Sequence, residues 1–190
     1  MNQQNKIQSM VISALLCAIG IIIPMFAPKI VLEPASFTLA SHVPVFIAMF
    51  ISPPVAISVA LITSFGFLFA GFPIVVVLRA LTHVIFASIG AIMLKKNNNL
   101  LLSPKSTFLF GSFLSVIHGV FEVLVVTFFY LGSGMTSVYY DKGYLLSVIL
   151  LVGIGTIVHS MIDFGIALFV WKPLQNVVHI PASAKIAKSR

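Results

Sequence analysis

The 190-residue chain is 59% hydrophobic and 8% charged, with a mean hydropathy of +1.14 and a formal net charge of +7. A soluble domain of this size carries roughly a quarter charged residues, so the charges here are too few to wet a globular surface and the apolar surface must face lipid. The Lys and Arg residues stand singly or in pairs between apolar segments, with no basic stripe interleaved with aromatics; this excludes a nucleic-acid surface and reads instead as charges that set membrane topology.

The amino-terminal residues 1–8 are polar with a single lysine, Lys6. The apolar stretch behind them is longer than a signal-peptide core and no clean small-x-small cleavage site follows, so a retained first helix is expected over residues 7–27, ended by Pro24 and Pro28. It carries Cys17, the chain's one cysteine, which excludes intramolecular disulfides and cysteine-based metal sites. After a polar link with Lys29, Glu33 and Pro34, apolar sequence runs from residue 35 to residue 72. One crossing takes about 20 residues, so this run must fold back, and Pro53-Pro54 is the place, because proline lacks the donor that a helix interior needs. The expected spans are residues 35–52 and 55–71. Gly71-Phe72-Pro73 marks the next turn and residues 74–94 the fourth span; the polar links at residues 95–99 and 103–105 precede a fifth over 106–131. Gly132-Ser133-Gly134 and Asp141-Lys142-Gly143 bound a loop before the sixth, residues 144–171, and a basic tail with Lys185, Lys188 and Arg190 follows. The expectation is an all-α integral membrane protein, one six-helix domain over residues 1–190, multi-pass in the cell membrane.

Orientation follows from the bias of basic residues toward the cytoplasm. With the amino terminus inside, Lys6, Lys95, Lys96, Lys105, Lys172, Lys185, Lys188 and Arg190 fall on the inner face. The outer face holds Lys29 and Lys142, offset by Glu33 and Asp141. Both termini are therefore expected in the cytoplasm.

Ionisable groups inside a membrane span are costly, and each is a functional candidate. Here they are His42, Arg79, His83, His118, Glu122, His159 and Asp163. At about 1.5 Å per residue, Arg79 lies roughly 10 Å below the outer end of its span, with His83 one turn deeper on the same face. His42 lies at a similar depth, and Glu122 and His118 descend the fifth span four residues apart, so these groups can meet in the outer half of a bundle. His159 and Asp163, also four apart, are placed in the inner half, where they form a local hydrogen-bonded pair. Two readings of Arg79 stand side by side: a buried interhelical pair with Glu122, or capture of a small anion, for which a planar guanidinium suits a carboxylate. Each single histidine reads as a helix contact or as a ligand.

No HExxH pattern or sequence clustering of histidines points to a metal, no GxSxG elbow accompanies Ser and His, and no Gly-rich loop follows a strand. No cofactor is expected, and an energy source must reside on another chain. An intramembrane enzyme using His159 with Asp163, or His118 with Glu122, would need a nucleophile or metal that the sequence does not supply. A stand-alone secondary transporter or channel would be expected to show inverted repeats, and none is found. In the first helix Ala14 and Ala18 stand at i, i+4 with Gly20 nearby, a spacing that lets membrane helices approach closely.

With six spans, both termini inside, no nucleotide-binding motif and the Ala14-x-x-x-Ala18 motif, the chain resembles the substrate-binding (S) component of an energy-coupling factor (ECF) vitamin transporter. The stretches Pro34-Ala35-Ser36-Phe37-Thr38-Leu39-Ala40-Ser41-His42-Val43-Pro44 and Leu78-Arg79-Ala80-Leu81-Thr82-His83 add to the likeness. The resemblance implies a non-catalytic protein that binds a vitamin in an outward-opening pocket and then topples within the membrane while docked on a transmembrane coupling subunit and two ATPase subunits. Ala14 and Ala18 would contact the coupling subunit; Arg79, His83, Glu122 and His42 would lie in or near the pocket. Among the family's cargoes, Arg79 favours a carboxylate and the 17 phenylalanines favour a small planar ring, so niacin fits best and pantothenate, an anion without a ring, comes second.

Overall fold

The computed structural model describes residues 3–32, 35–177 and 182–186. Glu33, Pro34, Lys188 and Arg190, which entered the expectations above, lie outside the described residues. Helix α1 spans Gln3–Phe26 and is followed by an antiparallel hairpin of β1 (Lys29–Leu32) and β2 (Ala35–Thr38). Then come α2 (Val43–Ile51), α3 (Pro53–Phe69), α4 (Ile74–Lys96), α5 (Pro104–Leu131), the short α6 (Ser137–Asp141), a π-helical segment (Leu145–Ile154) and α7 (Gly155–Val177). Among the described residues, α1, α4, α5 and the continuous run Leu145–Val177 are long and apolar enough to cross a membrane, and α3 is a shorter apolar helix. The chain is a helical membrane bundle.

The expected helical membrane class holds, and it carries one short antiparallel hairpin besides, with Ile30 opposite Phe37 and Val31 opposite Ser36. One expectation needs correction. The second expected span, residues 35–52, is helical only over Val43–Ile51. Its first residues are extended with the alternation of a half-buried strand, Ala35 and Phe37 inward and Ser36 outward. The chain then turns through Ala40, whose φ of +66° no helix accommodates. Nine helical residues rise about 13 Å, short of the roughly 30 Å hydrocarbon core. All nine residues of α2 are buried, as expected of a helix apolar on every side, and α2 forms the centre of the bundle rather than a wall of it.

Around α2 the helices pack α1 on α3, α3 on α4, α4 on α5 and α5 on α7. The core at this axis is aromatic, with Phe46, Phe50, Phe86, Phe164 and Trp171 almost wholly buried. The fold-back expected at Pro53-Pro54 is present: Ser52 is extended and α3 begins with the proline pair in its first turn, where their missing N–H groups cost nothing. Residues 182–186 close the end of α2 away from the hairpin. Ser183 and Ala184 donate their N–H groups to the carbonyls of Ile51 and Phe50 at 3.1 and 2.9 Å, carbonyls that a helix end leaves without partners. At the opposite end the ring of Phe37 lies where any side chain on Gly155 would collide, since a Cβ there would sit 2.5 Å from its Cζ. Glycine at this position lets the hairpin seat on the junction between the π-helical segment and α7.

Candidate functional site

The hairpin end of the bundle encloses a cavity of about 270 Å³. Its walls combine an apolar rim, including Phe37, Phe67 and Phe72, with the most polar groups of the bundle: His42, Arg79, His83, His118, Glu122 and His159. Lys29 of β1 stands at the cavity as well, and is exposed.

Arg79 sits on the second turn of α4 and Glu122 in the middle of α5, two helices that pack directly on each other. The Arg79 Nε donates to Glu122 Oε2, so the interhelical pair is formed, and the same side chain also lines the cavity. The bond uses one edge of the guanidinium, and the terminal amino groups make no hydrogen bond among the described residues. The second carboxylate oxygen, Oε1, lies 3.7 Å from His83 Nε2 and 3.5 Å from His118 Nε2, beyond a good hydrogen bond. Both ring nitrogens of His118 are accordingly buried without a hydrogen bond among the described residues.

A second carboxylate organises the other side. Asp163 on α7 is fully buried and accepts three hydrogen bonds from the turn between β2 and α2. The Ala40 N–H reaches Oδ1 at 2.8 Å, while the His42 N–H and Nδ1 reach Oδ2 at 2.9 and 3.0 Å. His159, one turn before Asp163, has Nε2 at 3.1 Å from Ser41 Oγ. The structure thus corrects the placement of His159 and Asp163 as a separate inner pair, because the extended entry of residues 35–38 and the turn at Ala40 carry His42 to them. Around His42 the rings of His83, His118 and His159 stand edge-on at centroid distances of 4.8, 4.7 and 4.9 Å.

Four histidines scattered in sequence therefore converge in space. One ring nitrogen from each of His42, His83 and His118 lies within 4.8 Å of the others, and the same holds for His42, His159 and an Asp163 oxygen. Polar wall groups that sequence reasoning passed over include Ser41, Thr63 and Thr156; a small hydroxyl in an apolar helix carries no pattern that would single it out. Ala14 and Ala18, by contrast, do not line the cavity and are exposed on the surface of α1.

No family model matches the sequence and no solved structure matches it. The chain is 42% identical over 165 residues to the niacin transporter NiaX of Lactococcus lactis subsp. cremoris (strain MG1363), an alignment that covers 86% of this chain and 72% of that protein.

Proposed function

The chain belongs to the niacin transporter family of NiaX, and from that premise we propose that it captures niacin, as the nicotinate anion, in the cavity at the hairpin end of the bundle. It is a multi-pass membrane transport protein, not an enzyme, so His159 with Asp163 and His118 with Glu122 act in binding and architecture rather than in catalysis.

The observation that carries the substrate reading is Arg79 in the cavity wall, held through Nε by Glu122 and with its terminal amino groups uncommitted. Glu122 fixes the plane of the guanidinium, and a carboxylate entering the cavity meets the free edge with the geometry of a charge-assisted pair. The rings of Phe37, Phe67 and Phe72 give a planar heteroaromatic ring apolar faces to lie against, and Phe67 and Phe72 are already stacked at 4.8 Å. A cavity of about 270 Å³ suits a small cargo. Nicotinate has nine non-hydrogen atoms; at a ceiling of about 1.5 kcal/mol per atom its affinity is bounded at a Kd of about 0.1 nM.

The transport role is read as that of an ECF S component. Six crossings, cytoplasmic termini and a cell-membrane location belong to this reading, with the hairpin end facing outward. A coupling subunit, docked on the exposed Ala14 and Ala18 of α1, and two ATPase subunits would supply the energy. The basic residues Lys6, Lys95, Lys96 and Lys105 at the far end from the hairpin support that orientation.

The test is nicotinate binding to the purified protein in detergent. Arg79→Ala is expected to weaken it at least tenfold, the scale of one charged contact. Because that variant also strands Glu122, Arg79→Met with Glu122→Gln removes both charges together and is expected to lose binding while keeping the fold. Unchanged affinity in the double variant would remove Arg79 from the site.

A further inference from the structure

The charge balance of the cavity does not by itself favour an anion. Glu122 neutralises Arg79, and Asp163, fully buried and accepting on both oxygens, adds a further negative charge. Counted over these buried groups, the site is negative by one before any cargo arrives and by two once a carboxylate has entered. Uncompensated charge at membrane depth is expensive. Lys29 is exposed at the mouth, where water screens it.

The histidines offer a remedy. His42, at the turn that caps the start of α2, His83 on α4 and His118 on α5 present one nitrogen each within 4.8 Å. His118 is 1% exposed, and neither of its ring nitrogens makes a hydrogen bond among the described residues, Glu122 Oε1 lying 3.5 Å from Nε2; a buried polar group left in this way calls for an explanation. His42 donates Nδ1–H to Asp163 at 3.0 Å, which leaves Nε2 as a lone-pair donor. A carboxylate behind a ligating imidazole is the usual arrangement at zinc-class sites, where it sets the tautomer and raises ligand basicity.

We propose that His42, His83 and His118 form a site for a divalent transition-metal ion of the zinc class, with the fourth coordination position open to the cavity and filled by the cargo. Three neutral imidazoles and one open position match the ligand set of zinc sites that bind an exchangeable ligand. A tetrahedral ion with nitrogens at about 2.1 Å holds them about 3.4 Å apart, so the rings need to close by roughly an ångström on metal binding. The ion's two positive charges cancel the deficit that remains after a carboxylate enters. Its open position accepts either donor of nicotinate, the pyridine nitrogen or a carboxylate oxygen. The identity of the cargo rests on the function proposed above; the metal site does not.

The experiment uses the full chain in detergent, stripped with a chelator and titrated with Co²⁺ as a spectroscopic stand-in for Zn²⁺. One equivalent should bind with the visible absorption of a tetrahedral nitrogen-ligated ion. Affinity should fall at least a hundredfold in His118→Ala and in the volume-conserving His118→Gln, and tenfold to a hundredfold in Asp163→Asn, the range of a lost supporting carboxylate. Helical circular dichroism and gel-filtration elution establish that each variant is folded. Nicotinate added to the Co²⁺ form should shift the visible bands. Absence of stoichiometric Co²⁺ and Zn²⁺ binding by the wild-type chain overturns the site, as does binding that folded His118→Gln retains in full. Binding of Co²⁺ with bands that saturating nicotinate leaves unmoved overturns coordination of the cargo. Failure of nicotinate to bind both the stripped and the loaded protein counts instead against the proposed function.

Discussion

Asp163 is the single residue on which the geometry of the cavity floor depends most. Replacing it by alanine removes the acceptor for Ala40 N–H, His42 N–H and His42 Nδ1, at 2.8, 2.9 and 3.0 Å. Each is a hydrogen bond to a charged group, about 1.5–3 kcal/mol when intact. The three share one acceptor and are not additive; breaking a buried charged constellation from one side costs about 3–5 kcal/mol. The turn they hold includes Ala40 at a φ of +66°, a conformation that costs a non-glycine residue about 1–2 kcal/mol and persists because Asp163 and the start of α2 restrain it. Asp163→Ala should therefore lower the thermal midpoint in detergent by about 10 °C, at roughly 2–4 °C per kcal/mol for a chain of this size. Asp163→Asn keeps the volume and one acceptor and should lose about half as much. The readout is thermal unfolding followed by Trp171 fluorescence or by loss of the monodisperse gel-filtration peak. A midpoint in Asp163→Ala within 2 °C of wild type would refute the claim that this carboxylate holds the hairpin turn to α7.

Glu122→Ala leaves the Arg79 guanidinium buried without its partner and should destabilise by about 3–5 kcal/mol, whereas Glu122→Ala combined with Arg79→Met should recover most of that; thermal midpoints of the two variants decide it. Gly119 on α5 faces α7 and the π-helical segment so closely that a Cβ would lie 2.8 Å from Ile157 Cγ1 and 3.0 Å from the Gly153 carbonyl oxygen. Gly119→Val should accordingly cost about 1–3 kcal/mol from overpacking, measured in the same unfolding assay. Ala14→Trp with Ala18→Trp alters the exposed face of α1 and should leave nicotinate affinity within threefold of wild type while abolishing co-purification with the coupling and ATPase subunits. Retained co-purification would move the docking surface elsewhere.

The membrane class and most helix boundaries were legible because they rest on apolar length and on proline. The fold-back at Pro53-Pro54, the break at Gly71-Phe72-Pro73 and the start of α5 beside Ser103-Pro104 all fall where a missing donor or a flexible turn dictates. The hairpin was not legible, since residues 35–52 form a continuous apolar run and such a run does not distinguish strand from helix. That miss propagated into the site. Depth counted along an α-helix from residue 144 puts His159 roughly 22 Å down, far from His42. In the structure, Leu145–Ile154 is π-helical, a rare winding that is frequent at functional sites, and His42 caps the start of α2 after an extended strand and a turn rather than lying inside a helix that begins at residue 35. Arg79 with His83 on α4 and His118 with Glu122 on α5 did meet as their spacing on the fourth and fifth spans allows, because residues three or four apart share a helix face.

Seven ionisable side chains gathered at the hairpin end of a lipid-embedded bundle make poor sense as a device for stability. Buried pairs of this kind are often replaced by well-packed apolar residues with no loss, and sometimes with a gain. Two features set this cluster apart from a structural network that has been fully satisfied. Its hydrogen bonds are concentrated on the outer shell, where Asp163 grips the turn through Ala40 and His42 and Glu122 grips Arg79. Several groups at the cavity are left without a hydrogen bond among the described residues: the terminal amino groups of Arg79, both nitrogens of His118 and the buried hydroxyl of Thr63, as are Ser115 and Ser160 away from it. A network built for its own sake would close on itself, with the unmet donors and acceptors scattered or absent. Here the carboxylates hold the inner groups in place and leave them facing a space of about 270 Å³, which is the arrangement of a site waiting for polar atoms that arrive with the cargo.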